Sequence, residues 1–252
     1  MRWNNSAARF ILFLGAFYLA SMGLIAQSST PAMPSAAGSA SQPTPPAPAP
    51  TEKPLLIVID AAHGGSDAGA LLTPTAVEKE ITLNVARRLR QELNARGIQV
   101  QMVRDADVSL SADQRATIAN IADPALYISL HASSLGSGMR FFTAMLPSGG
   151  DNNGPFLDWD TVQSLALERS KAIQAQLMSA VQQTRFPARA LVAPLRPLNN
   201  IKAPAIAIEI SPTTGDAAQV ASTGYQQMIC SALANALLSM APSLRTTVGA
   251  RP

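Results

Sequence analysis

The chain holds two histidines, and both stand where a short apolar run ends. His63 comes after Leu55 to Ile59, five aliphatic residues closed by Asp60, and leads into a turn carrying Gly64 and Gly65. His131 directly follows Leu126 to Leu130, a second run rich in strand-forming residues. Runs of this length and composition, bounded by Gly, Pro and Asp, read as strands buried on both faces. Ligands of open α/β sheets sit outside the carboxyl ends of the strands, so two imidazoles at such ends are placed to share one. A third run, Ala205 to Ile210, carries a carboxylate. Alternation sends Ile206, Ile208 and Ile210 to one face and Ala205, Ala207 and Glu209 to the other. An ionised carboxylate in such a strand is costly unless an arginine pairs with it or a metal lies near.

Two histidines, one carboxylate and a water form the usual ligand set of a catalytic zinc, which keeps one position open. His63 and His131 supply the nitrogens. Asp67, Glu78 and Glu80 all compete for the third place. Asp67 lies within the turn, Glu78 at the entrance to the next helix on the side where His63 emerges, and Glu80 in the first turn, where it favours the helix dipole. Such a metal lowers the pKa of its water and polarises a carbonyl, while Glu209, close without ligating, takes the proton. That set describes a hydrolase. Other chemistries lack their residues: there is no His-Glu-x-x-His helix and no Gly-Lys-Ser/Thr phosphate loop. Gly64 to Ala68 is one residue short of a nucleophile elbow.

The elements that must place these groups alternate strand and helix. From Glu80 to Arg96, Ile81, Val85, Leu89 and Leu93 recur four apart on one face, which predicts an amphipathic helix closed by Gly97. Ile98 to Val103 reads as a strand parallel to the first. Ser111 and Gln114 form a capping box for a helix running to Ala122, ended by Asp123 and Pro124. Met139 to Met145 is a further strand, Ser148 to Pro155 a surface loop, and Asp160 to Gln183 a helix burying Val162, Ala166, Ile173, Leu177 and Val181. A last helix covers Asp216 to Met240.

The ends differ in composition. Residues 1–26 join Arg2 and Arg9 to an apolar stretch of about 17 residues, which predicts a signal peptide or, if uncleaved, an N-terminal anchor. Residues 27–53 are a Pro/Ala/Ser-rich linker that cannot bury enough surface to order itself. A domain over 54–242 and a flexible tail over 243–252 complete the expected organisation. Arg2 and Arg9 account for two of the three net positive charges, leaving +1 for the rest. So small a net charge gives little support to nucleic-acid binding, which needs a basic patch or stripe, and no nucleic-acid partner is expected. Membrane contact is expected only through the N-terminal segment. The single cysteine, Cys230, rules out an internal disulfide, so the domain must be held by its core.

Five segments, in order, resemble the zinc-dependent N-acetylmuramoyl-L-alanine amidases of the amidase-3 type. They are VIDAAHGGSDAGA (Val58 to Ala70), EKEITLNVARRLRQEL (Glu78 to Leu93), SLSADQRATIAN (Ser109 to Asn120), YISLHAS (Tyr127 to Ser133) and APAIAIEI (Ala203 to Ile210). The resemblance implies a single α/β domain with a mixed, mostly parallel central sheet flanked by helices. It implies Zn2+ on His63, Glu78 and His131, choosing Glu78 among the three candidates, and Glu209 as the catalytic carboxylate. The implied reaction is hydrolysis of the amide joining the lactyl group of N-acetylmuramic acid to L-alanine of the peptidoglycan stem peptide, in an exported protein of the periplasm or cell envelope.

Some relatives carry an inhibitory helix over the zinc that a partner displaces, so an activator protein is a second expected partner. Pro147 to Asp160 lies in a comparable place but is short and Gly-rich. Ala62 and Ser133 stand where the family usually has Gly and Asn. Thr75-Ala76-Val77 and Ser211 to Gly215 also depart from the family pattern, and these changes bear on the substrate groove. A peptidoglycan-binding module without catalysis, or a zinc hydrolase of another exported amide, are the alternatives.

Overall fold

A computed structural model describes residues 54–147 and 158–246. The expected signal or anchor, the linker and the loop at Ser148 to Pro155 lie outside the described residues. The central sheet has six strands: β1 (Leu56–Ala61), β4 (Gln99–Met102), β5 (Leu126–Ala132), β6 (Gly138–Ala144), β7 (Ala188–Ala193) and β8 (Ala205–Ser211). They lie in the order β4-β1-β5-β8-β6-β7, and only the β6–β8 pairing is antiparallel. The expected mixed, mostly parallel sheet is therefore present. A small hairpin, β2 (Leu71–Thr73) with β3 (Ala76–Val77), stands apart from it.

Among the described residues four α-helices cover the sheet: α1 (Glu78–Asn94), α2 (Ala112–Ala122), α3 (Leu167–Gln183) and α4 (Thr223–Thr246). Strand alternation divides the core in two. Ile206, Ile208 and Ile210 join α1, α3 and α4 in the larger cluster, while Ala205 and Ala207 face the smaller one beneath α2. Cys230 is buried in the larger cluster, where loss of hydration pushes its thiol up to about 12. The capping box at Ser111 and Gln114 is formed in both directions.

Several boundaries differ from expectation. The helix expected from Glu80 begins at Glu78, and β5 runs through His131 because pairing with β8 continues to Ala132 and Ile210. The helix expected from Asp160 is a 3-10 turn over Trp159–Leu165 followed by α3, with Ala166 only half-buried between them. The last helix is preceded by a 3-10 turn at Ala217–Ala221 and continues past Pro242 to Thr246, so buried Leu244 belongs to it rather than to a tail. Strand β7 and the β2–β3 hairpin have short or mixed patterns that periodicity does not reveal.

A buried charge network ties β1 to α2. Asp60 projects from β1 to the α2 side, where Arg115 Nη1 donates to its Oδ1 at 2.5 Å and the Tyr127 hydroxyl to its Oδ2 at 2.5 Å. Burial pushes the Asp60 carboxyl up, while the Arg115 charge and both hydrogen bonds pull it back. Arg115 also donates to the carbonyls of Ala61 at 2.9 Å and His63 at 2.7 Å. Beside it Arg104 holds the carbonyls of Ala61 at 2.8 Å, Ala62 at 3.0 Å and Lys79 at 2.8 Å. Removing one partner of a buried ion pair strands the other charge, so Arg115→Met is expected to cost about 3–5 kcal/mol of unfolding free energy in urea titration. Asp60→Asn combined with Arg115→Met should cost less than Arg115→Met alone. A loss under about 1 kcal/mol for the single variant would contradict this role.

Candidate metal centre

The turn after β1 brings His63 to the carboxyl end of the parallel strands in a backbone conformation that residues with a Cβ rarely adopt. Its φ is +62°, a left-handed value for a residue with a Cβ. Such strain persists only where the surroundings over-determine it. Here the His63 carbonyl is held by Arg115, and a bridge between Gly64 and Asp67 closes the turn. Lys79 Nζ adds bonds to the Gly65 carbonyl at 2.8 Å and to Asp107 at 2.7 Å.

Glu78 arrives by a different route. The β2–β3 hairpin turns the chain back so that α1 opens against the same loop, with the Glu78 amide donating to the Ala70 carbonyl at 2.9 Å and the Lys79 amide to Ala68 at 3.1 Å. The Glu78 carboxylate is buried and points at both histidines. Its Oε2 is 3.1 Å from His63 Nε2, and its Oε1 is 3.0 Å from His131 Nδ1. The amides of Ala70 and Ala132 donate to it at 3.0 and 3.2 Å. Burial alone would push this carboxyl up. The hydrogen bonds from His131, His63 and Ala70 outweigh that and hold it well below the usual carboxylate range.

One ligand atom from each of His63, Glu78 and His131 lies within 4.8 Å of the others, a grouping that can hold a metal ion. The two imidazoles meet edge to face, their centroids 5.6 Å apart. Of the other two acidic candidates, Asp67 accepts from His63 Nδ1 at 2.8 Å on the side away from Glu78, and Glu80 is exposed. Asp67 therefore orients His63 and leaves Nε2 for a ligand, the usual outer partner of a metal-bound histidine. Gly69 makes the cluster sterically feasible. A Cβ there would stand 2.7 Å from His63 Cδ2 and 2.8 Å from Glu78 Oε2.

Glu209 stands one strand over. It is the register partner of His131 across β5 and β8, so both side chains leave the same face of the sheet. Arg140, its register partner on β6, meets Glu209 Oε1 in an ion pair. The carboxylate thus has the arginine that its strand position called for, beside the histidine cluster. Periodicity gave no sign of Arg140. The roles of Asp60 and Arg115 had one visible sign: an aspartate ending an aliphatic strand.

The site's surroundings agree with the family that the chain matches. A sequence profile described as N-acetylmuramoyl-L-alanine amidase covers residues 57–239. The chain belongs to this family. Among relatives, the amidase AmiC of Escherichia coli is 33% identical over 99 residues, which is 39% of this chain and 22% of AmiC. The N-acetylmuramoyl-L-alanine amidase AmiC2 of Nostoc punctiforme shares the fold with a TM-score of 0.58 at 23% identity, covering 75% of this chain and 97% of that one. The CwlD amidase from Clostridioides difficile, solved in complex with the GerS lipoprotein, superposes with a TM-score of 0.54 at 21% identity over 75% of this chain and 99% of CwlD. The chain spans 20% to 48% of the length of curated family relatives that it matches.

Two outcomes follow from this geometry. Gly69→Ala, which removes no ligand, should weaken metal binding by about tenfold or more in competition with a chelating dye; unchanged affinity would show that Gly69 is not needed for the cluster's approach. The second concerns pH. The Glu78 hydrogen bond raises the His63 pKa against the opposing effect of burial, and Asp67 adds to the rise. A raised folded pKa contributes stability below the unfolded value of about 6.5, and that contribution is lost as pH rises through the folded value. His63 should therefore make the metal-free protein's unfolding free energy fall between about pH 6 and 8, whereas metal stabilisation should grow because ligands must shed protons. Thermal unfolding with metal and with chelator across that range checks both, and parallel curves would contradict the coupling.

Proposed function

We propose that the chain is a zinc-dependent N-acetylmuramoyl-L-alanine amidase that cuts the stem peptide of peptidoglycan from its glycan. The observation that carries this reading is the His63, Glu78 and His131 cluster with Glu209 in register beside it. The donor set fits zinc. Imidazole nitrogens and carboxylate oxygens are usual zinc ligands, and one such atom from each of His63, Glu78 and His131 lies within 4.8 Å of the others. When bound there, zinc would polarise the scissile carbonyl and make its water more acidic.

The protein's own groups do the rest. Asp67 fixes His63 with Nδ1 engaged, and the two backbone amides on Glu78 keep its carboxylate charged and aimed. Glu209 takes a proton from the attacking water on a carboxylate oxygen and delivers it to the alanine nitrogen as the carbon–nitrogen bond breaks. The products are a free lactyl carboxylate and a free L-alanine amine. For Glu209 to accept that proton, the bond with Arg140 must leave one lone pair available; each oxygen of an ionised carboxylate has two.

The sequence pattern of residues 1–53 supports export on a tether into the periplasm or cell envelope, with any membrane contact through the first 26 residues. The lipoprotein bound to CwlD supports the expectation of an activating partner. One observation favours a second reading: the Arg140–Glu209 pair is also what a purely structural carboxylate would make. In that reading the groove binds wall polymer without cutting it.

Digestion of purified peptidoglycan by the full chain, with zinc or chelator and with products read by mass spectrometry, separates the two. Zinc-dependent release of stem peptides bearing a free L-alanine amine is expected. Glu209→Gln should keep stoichiometric zinc and lose about 10²-fold or more in turnover, while His63→Ala and His131→Ala should lose the metal. Full activity in Glu209→Gln would overturn the role of Glu209, and saturable binding without release at any zinc level would favour the binding module.

A further inference from the structure

The strand register continues the active row beyond Glu209. His131 on β5, Glu209 on β8, Arg140 on β6 and Arg189 on β7 are successive register partners. Residues so paired project from one face, with strands about 4.8 Å apart. The row therefore holds one carboxylate followed by two guanidinium groups. Like charges directly opposite one another are unfavourable unless an anion lies between or above them. Glu209 is one anion for two cations, and Arg189 is exposed.

Arg140 is held in place without being saturated. Besides meeting Glu209, its Nη2 donates to the Leu135 carbonyl at 3.0 Å and lies 3.4 Å from Ser211 Oγ. Gly136 leaves the space it occupies, since a Cβ there would stand 3.1 Å from Arg140 Cζ and 3.2 Å from Ser211 Oγ. Its Nε is buried and has no hydrogen-bond partner among the described residues. The side chain as a whole is 27% exposed. A guanidinium fork that is partly exposed beside the proposed reacting centre, apart from its buried Nε, suits a carboxylate that arrives with the ligand.

We propose that Arg140, supported by Arg189, reads a free carboxylate on the stem peptide; this assignment rests on the amidase function proposed above. The substrate's chemistry gives the direction. The lactyl carboxyl is consumed in the scissile amide, so that link offers the row no anion, whereas the stem peptide carries carboxylates of its own. Distance narrows the choice. Arg140 is two strand spacings from His131, roughly 10 Å, and an extended peptide advances about 3.3–3.6 Å per residue. The carboxylate belongs to one of the first three residues after the bond that is cut. Arg140 is thus a specificity residue, and Glu209 keeps its guanidinium in place until substrate arrives.

The test uses the zinc-loaded full chain and a synthetic muramoyl tripeptide, L-Ala-γ-D-Glu-meso-diaminopimelate, beside versions with the second residue's free carboxylate, or both carboxylates of the third residue, converted to carboxamide. Wild type should lose about tenfold or more in kcat/KM on one of these conversions, mainly through KM. Arg140→Gln should fall to a similar level on the acidic substrate and be indifferent to the conversion, while Arg140→Lys should recover part of the preference. Equal cleavage of all three substrates by wild type, or an unchanged preference in Arg140→Gln, would overturn the proposal. Calorimetric binding of the free tripeptide and its two amides to wild type and Arg140→Gln reads the same preference without bond cleavage. A carboxylate preference in binding that depends on Arg140, with no cleavage of any substrate, would count against the amidase reading while sustaining the arginine's role.

Discussion

A buried carboxylate stays ionised only where enough donors converge on it, and Glu78 meets that condition with two imidazoles and two backbone amides. No single element supplies these donors. One histidine comes from the turn after β1, the other from β5, one amide from the loop before the hairpin and one from the end of β5. The charge of Glu78 therefore ties the start of α1 to three other stretches of chain: the turn after β1, the loop before the hairpin and the end of β5. Conversely, the fold must bring those stretches within hydrogen-bonding distance before the charge can be buried at all.

The rest of the structure supplies that convergence at its own energetic cost. His63 takes a left-handed backbone conformation, which is unfavourable for any residue with a Cβ, and its carbonyl is fixed by Arg115. Arg115 can lie buried because Asp60 neutralises it, and Asp60 can lie buried because Arg115 and Tyr127 bond to it. Each polar group in this chain is tolerated inside the protein only through the next. Such a network is rigid and contributes little net stability, since its Coulomb attraction is spent mostly on desolvation. Its benefit lies in placing one imidazole, and the apolar clusters on either face of the sheet stabilise the domain.

How much of this is legible in the sequence depends on the range of the interaction. Periodicity of four along α1 and of two along β8 reports local geometry, and it located the buried faces and the side chain of Glu209 correctly. The ends of apolar runs located both histidines, although pairing with β8 carries β5 two residues past the end of the run. The residues alone left Asp67, Glu78 and Glu80 equivalent. The choice between them depends on the β2–β3 hairpin, whose five strand residues are too few to show a period. Arg140 and Arg115 were invisible for a related reason. Each meets its carboxylate across a distance in sequence of 55 residues or more, from an element whose local pattern says only that it is a strand or a helix.

Family membership and strand register constrain function differently. The family profile spans residues 57–239 as a whole, but the chain covers at most about half of each curated relative considered. Register speaks to what lies next to particular residues in this chain. Because β6 runs antiparallel to β8, its N-terminal end rather than its C-terminal end meets the catalytic edge. Gly138, Met139 and Arg140 are thereby brought beside Ser211, Ile210 and Glu209, and the sequence departure that begins at Ser211 is in contact with Arg140. The altered loop and the arginine belong to one surface, one strand spacing from the proposed base. The departures from the family pattern at Ser211 thus bear on what the groove accepts, while the residues that would hold the metal lie on the other side of Glu209.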